Sequence, residues 1–274
     1  MRRGWCRTFR SSSVSPVLFD FTEAELLALT SSFLWPLIRI SGFMLVVPVF
    51  GTRVVSPYIR IGFASLLAML VAPQLPPMPE VDLISLAAYV MAAEQLLIGI
   101  SMAFIVLVMF QIFILAGQMI AMQMGLGFAS MVDPSNGIMV AIVSQFYLTL
   151  TTLIFLAMNG HLVAVEVLIE SFTVLPVSTQ WQLGQFFDVA RAGTWMFASA
   201  LFVALPAVTA ILIVNFAFGI MTRAAPQLNI FSLGFPFTML IGLTIMWIGL
   251  SGFLPQYKRL VTECLMLIKT MYGS

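Results

Sequence analysis

The chain has 274 residues, 61% of them hydrophobic and 8% charged, with a net charge of +1 and a mean hydropathy of +1.07. A soluble domain carries about 25% charged residues, so the composition excludes a water-soluble globule and defines an integral membrane protein. The small net charge gives no footprint for nucleic acid. The two cysteines, Cys6 and Cys264, sit at opposite ends without metal-ligand spacing and are read as free thiols.

Arg2, Arg3, Arg7 and Arg10 precede a serine-rich stretch, Ser11 to Ser15, and no apolar run follows until about residue 33. A secretory signal needs its apolar region directly after the basic residues. Residues 1–18 are therefore expected to be a disordered basic tail or the product of a misassigned start. Ordered structure is expected near Phe21, where Thr22 and Glu25 have capping-box spacing.

Six apolar segments follow: Phe33–Phe50, Ile61–Ala72, Leu83–Ile120, Ile138–Gly160, Trp195–Met221 and Phe231–Leu254. All are read as helix, because only helices and closed barrels span a bilayer and strict period-2 alternation is missing. The expected fold is all-α, a polytopic membrane protein with several segments bent or not simply spanning. Phe33–Phe50 holds Arg39 and two prolines, Pro36 and Pro48. Ile61–Ala72 is too short to span before the proline-rich stretch from Pro73 to Pro79 halts it. Leu83–Ile120 is too long, since its 38 residues reach about 57 Å as a straight helix. If all six segments crossed, the excess of Lys and Arg would place both termini in the cytoplasm.

Between Glu94 and Asp133 there are 38 residues without a charged side chain. That run breaks at Gln123 and continues as Met124, Gly125, Leu126, Gly127, Phe128, Ala129, Ser130, Met131, Val132, Asp133 and Pro134. Glycines free the backbone, large soft side chains fill space, and a carboxylate stands beside a proline. Facing lipid, the unpaired amides of such a loop would cost several kcal/mol each. The loop must be buried in protein or line a passage, and it is read as a gate. The alternative for Met122, Met124 and Met131 is ordinary core filling.

Ionisable residues within the membrane are functional candidates, and Arg39, Glu94 and Arg223 qualify. Arg39 and Glu94 are expected to pair with each other or across a subunit boundary and so fix packing. Ion transport is the alternative. Glu166, Glu170, Asp188 and Arg191 are expected at the interface, and the single histidine, His161, as a packed, hydrogen-bonded side chain. A second punctuated region runs from Met221 to Pro236, with Thr222, Arg223, Gln227, Asn229 and Ser232 supplying polar groups and Pro226 ending a helix. It is either a hairpin turn whose polar groups satisfy the backbone or an interlock with neighbouring subunits. No nucleotide-binding, catalytic-triad or paired-acid signature appears, so neither an enzyme nor a cofactor or metal site is expected.

The residues carry a resemblance. Arg223-Ala224-Ala225-Pro226-Gln227-Leu228-Asn229-Ile230-Phe231, followed by Gly234-Phe235-Pro236, resembles the signature of the FliR family, the R subunits of the flagellar type III export gate. Matching blocks are Trp35-Pro36-Leu37-Ile38-Arg39-Ile40 with Pro48-Val49-Phe50-Gly51, the Gly125–Pro134 loop, and Asn159-Gly160-His161-Leu162 leading to Ser171-Phe172 and Leu175-Pro176. The likeness covers about residues 21 to 260. Injectisome relatives share the Arg-x-x-Pro-Gln-Leu-Asn core, and the Gly234-Phe235-Pro236 continuation looks more flagellar.

The resemblance implies a subunit that assembles with P and Q subunits into a helical, cone-like channel of the inner membrane at the flagellar basal body. It also implies contact with the B and A subunits of the export apparatus and passage of unfolded flagellar proteins. Much of the apolar helix would sit above the bilayer plane, packed on other subunits. A P-like part of about residues 19–190, a Q-like part of about 191–260 and a C-terminal tail of 261–274 are expected. The plug loop of the family falls on Gly125–Pro134, with Phe128 and Met131 sealing and Asp133-Pro134 as the far anchor. Arg39, Glu94, Arg223, Pro226, Gln227, Asn229 and Phe231 are expected in subunit packing.

Overall fold

The computed structural model describes residues 23–52, 54–76, 78–79, 81–82, 84–126, 130–132, 139–177, 183–224 and 230–272. Seven α-helices follow in order: α1 Glu23–Val46, α2 Pro57–Val71, α3 Leu86–Gln123, α4 Ile142–Ala157, α5 Gly160–Val174, α6 Leu183–Ala224 and α7 Ile230–Tyr272. Between α3 and α4 stands a small antiparallel hairpin, β1 Ser130–Val132 and β2 Met139–Ala141. The protein is all-α apart from that hairpin.

Local chemistry sets the helix ends. Pro57 occupies the first turn of α2, where its missing N–H costs nothing. The Ser85 hydroxyl accepts from the Ala88 amide at 3.3 Å and caps α3. Asn159, left-handed at φ 56, turns the chain between α4 and α5, which meet at 68°. α1 runs through Pro36 without a break and stops before Pro48.

α3 is the centre, packed against α1, α4, α6 and α7. Its buried residues include Ile98, Met102, Ile105, Ile112 and Phe113. Tyr147 of α4 and Phe113 of α3 both meet Phe253 of α7, with ring centroids 5.6 and 4.9 Å apart. Glycines let backbones touch: a Cβ on Gly42 would lie 2.6 Å from the Leu96 carbonyl oxygen, and one on Gly99 would strike the Arg39 carbonyl. Close approach of small residues is how helices associate in lipid, where apolar burial alone gives little drive.

Four helices are long and apolar enough to cross a membrane, or five if the bent α4–α5 pair counts as one span. Six simple crossings are not formed. α2 has only 15 residues, and α3, with 38, is a single unbroken helix whose length is shielded by the helices around it. α6 and α7 are the opposite case. Phe202, Phe216 and Trp247 are each at least 70% exposed, a surface that only lipid or other protein can cover.

The structure adds one helix beyond the six apolar segments and corrects two expectations. Residues 160–174 form α5, because Ala164, Leu168 and Phe172 bury one stripe while Glu166 and Glu170 face out. Met139–Ala141, within the Ile138–Gly160 segment, are strand, not helix. Residues 261–272 are not a tail: α7 continues to Tyr272, and Leu260, Cys264, Ile268 and Tyr272 are buried at four-residue spacing. Residues 1–18 lie outside the described residues, as does Thr22.

Candidate functional site

Helix α3, uncharged after Glu94, ends at its glycine. Gly125 has φ 78, a conformation that costs glycine nothing, and its amide donates to the Met122 carbonyl at 3.1 Å. This left-handed residue just past the helix end is a common stop signal. Beyond it, β1 and β2 pair with Ser130 opposite Ala141, Met131 opposite Val140 and Val132 opposite Met139. The break is therefore not all loop. Part of it satisfies its amides in a two-stranded ladder, which removes the desolvation cost that open backbone would carry. β2 lies against α3 and α4 and passes straight into α4. There α3 and α4 almost touch, since a Cβ on Gly117 would fall 2.7 Å from the Ser144 Cα.

The end of α3 is gripped from the other side by α6 and α7. Asn215 Nδ2 donates to the Gln123 carbonyl at 3.3 Å, one of the helix-end carbonyls that lack an intrahelical partner. Met124 is fully buried, whereas Met122, one turn-step away, is 66% exposed. The Met124 side chain lies so close to α7 that a Cβ on Gly242 would be 2.6 Å from its Cγ and 2.7 Å from its sulfur.

Of the other expected gate residues, Leu126 is half-buried and Ser130, Met131 and Val132 form β1. Gly127, Phe128, Ala129, Asp133 and Pro134 lie outside the described residues. So do Pro226, Gln227 and Asn229 of the second punctuated region. Arg223 is exposed in the last turn of α6, and Phe231 falls in the first turn of α7. A cation in a last turn complements the helix dipole.

Arg39 has no exposed surface and occupies a node inside the chain. Its Nε donates to Gln95 Oε1 at 2.8 Å, Nη1 to the Ser171 carbonyl and hydroxyl at 3.1 and 3.2 Å, and Nη2 to the Leu175 carbonyl at 3.0 Å. The guanidinium also lies 4.3 Å from the centre of the Phe172 ring. It caps the carbonyl end of α5, where a cation is favoured, and ties α5 to α1 and α3. The expected pairing with Glu94 does not form, and with its side chain wholly enclosed Arg39 offers no contact to another subunit. Its partner is Gln95, the next residue of α3, which the helix turns inward while Glu94 points to a half-buried flank. Among the described residues Glu94 makes no ion pair.

Of the charges expected at the interface, Arg191 pairs with Asp188 at 2.9 Å and Glu170 with Lys269 at 3.7 Å. His161 is half-buried, and its Nδ1 has no hydrogen-bond partner among the described residues. Cys264 is a buried free thiol.

Long apolar helices packed round a buried central helix, with that helix ending at a glycine and followed by a hairpin, define a polytopic α-helical membrane protein. The sequence profile described as "Bacterial export proteins, family 1" matches residues 30–264, and the chain belongs to that family. It is 34% identical over 247 residues to the flagellar biosynthetic protein FliR of Pectobacterium carotovorum subsp. carotovorum, covering 90% of this chain and 94% of that one. To the flagellar biosynthetic protein FliR of Escherichia coli (strain K12) it is 32% identical over 247 residues, with the same 90% and 94% coverage. The surface presentation of antigens protein SpaR of Shigella flexneri is 25% identical over 213 residues, covering 77% of this chain and 81% of that one.

Sequence reasoning missed Asn215, Gly242, Gln95 and the carbonyl role of Ser171 and Leu175. Asn215 carried a signal: it is the one amide side chain in the apolar run Trp195–Met221, and polar groups at that depth glue helices together.

Proposed function

We propose that this chain is a core subunit of a flagellar protein export gate in the bacterial inner membrane, and that its Gly125–Pro134 segment plugs the channel at rest. The observation that carries this reading is the break itself. In a member of an export family, a membrane helix of 38 residues ends at a left-handed glycine and a chain segment is inserted between helices. The relatives at 34% and 32% identity are named flagellar biosynthetic proteins, while the surface presentation of antigens protein SpaR stands at 25%. Methionine and phenylalanine suit a closure that must yield to many passing sequences.

The P and Q subunits of such a gate are the partners proposed for the apolar outer faces of α6 and α7, with the B and A subunits of the export apparatus beside them. Residues from about 19 to 190 are the proposed P-like part, and residues from about 191 to 260, within α6 and α7, the proposed Q-like part. Unfolded flagellar subunits are the cargo.

Deletion of the gene in its own bacterium, with plasmid complementation, tests this. The expected result is loss of secreted hook and filament protein together with swimming, both restored by the plasmid. Normal secretion and motility would overturn the flagellar assignment and point to an injectisome subunit of the same family.

A further inference from the structure

We infer that Asn215 and Gly242 form a socket that holds the end of α3 and so sets where the plug segment leaves the bundle. The inference rests on the plug reading above and names the residues that position it.

Two independent contacts meet at adjacent residues of one helix end. The Asn215 amide holds the Gln123 carbonyl at 3.3 Å, and the absent side chain of Gly242 makes the notch that Met124 fills. The two residues of this socket stand level in the α6–α7 hairpin. Its antiparallel register is fixed on one side by the Phe218–Phe237 ring contact, centroids 5.2 Å apart, and on the other by Trp195 Nε1 donating to Glu263 at 3.0 Å. That register brings Asn215 of α6 opposite Gly242 of α7. The neighbouring Ile213 and Phe216 point outward and are 69% and 70% exposed. One face of the hairpin therefore grips the root of the plug segment while the other is free for other subunits.

Gly242 serves here through its lack of a side chain, not through backbone freedom, for it lies within a regular helix. A larger residue keeps α7 intact, since other residues favour helix more than glycine does, and evicts Met124 instead. Asn215 supplies a donor to a part-buried helix-end carbonyl, a group left without a partner in its own helix. Both are positioning residues. Neither touches cargo.

The test is a size swap in the assembled gate within native membranes, read as resting permeability to small ions. Gly242→Met alone and Met124→Ala alone are each expected to raise resting leak several-fold, with the protein recovered in the membrane complex at the wild-type level. Combining them refills the notch from the other side, and leak is expected to fall back towards wild type. Wild-type tightness of both single variants, or a double variant no tighter than the singles, would overturn the socket. A variant in which Gly125–Val132 is replaced by a Gly/Ser linker runs alongside. If that variant leaks and the swaps do not, the socket alone fails; if it too is tight, the plug reading fails.

Discussion

Arg39 Nε donates to Gln95 Oε1 at 2.8 Å across the α1–α3 contact, in an interior where no described carboxylate pairs with the guanidinium. The charge is met instead by amide, hydroxyl and carbonyl oxygens and by the face of Phe172. Removing it strands four acceptor atoms and opens a void. Arg39→Ala is expected to destabilise the protein by about 3–5 kcal/mol, measured as a lowered melting temperature in detergent. Arg39→Lys should rescue little, because an ammonium lacks the planar fork that reaches α3 and α5 together. Glu94→Gln should change stability by less than about 0.5 kcal/mol. An equal loss from Glu94→Gln would return the ion pair to consideration.

Gly99 lies where α3 crosses α1, and an added Cβ would meet the Arg39 carbonyl and come within 2.9 Å of the Phe43 amide nitrogen. Both neighbours are backbone and cannot turn aside. Gly99→Ala is expected to cost about 1–3 kcal/mol, visible as early loss of the monodisperse peak on heating. Gly62, with open space around its position, is the matched control, and Gly62→Ala should be neutral or mildly stabilising.

The last turns of α7 fasten it to α3. Tyr272 and Ser101 share a hydrogen bond of 2.6 Å, and Ser101 also bonds the Ile98 carbonyl at 2.9 Å. Tyr272→Phe is expected to cost about 1 kcal/mol. Truncation after Leu260 removes the buried Cys264, Ile268 and Tyr272 together and should abolish recovery of folded protein. Full recovery of the truncated chain would mean that this end of α7 contributes nothing to the bundle.

Arg223 is exposed at the end of α6, so its loss should leave the monomer intact. Arg223→Ala is expected to enter the membrane normally and to be depleted from the purified gate complex. Undiminished incorporation would remove it from the subunit interface.

The end of α3 was legible in the sequence, for Gly125 stands just past it. The end of α1 was not: Phe33–Phe50 reads as helix, whereas α1 stops at Val46, before Pro48. The third dimension was less legible. Arg39 and the Ser171-Phe172 and Leu175 blocks were singled out separately, yet nothing in their spacing says that one guanidinium joins them 132 and 136 residues apart. Glu94 drew attention because it is charged, while the inward residue is its neutral neighbour, a distinction set by helical phase against α1. α5 and the end of α7 were missed because Glu166, Glu170, Lys258, Arg259, Glu263 and Lys269 lower the mean hydropathy. Their buried stripes show only when read at four-residue spacing. The hairpin was hidden for another reason: three-residue strands carry almost no periodic signal.

The most direct measurement is resting ion permeability in cells whose gate carries a Gly/Ser linker in place of Gly125–Val132. A plug predicts that these cells leak while the gate assembles in normal amount. Wild-type permeability in a strain with normal assembly would contradict it.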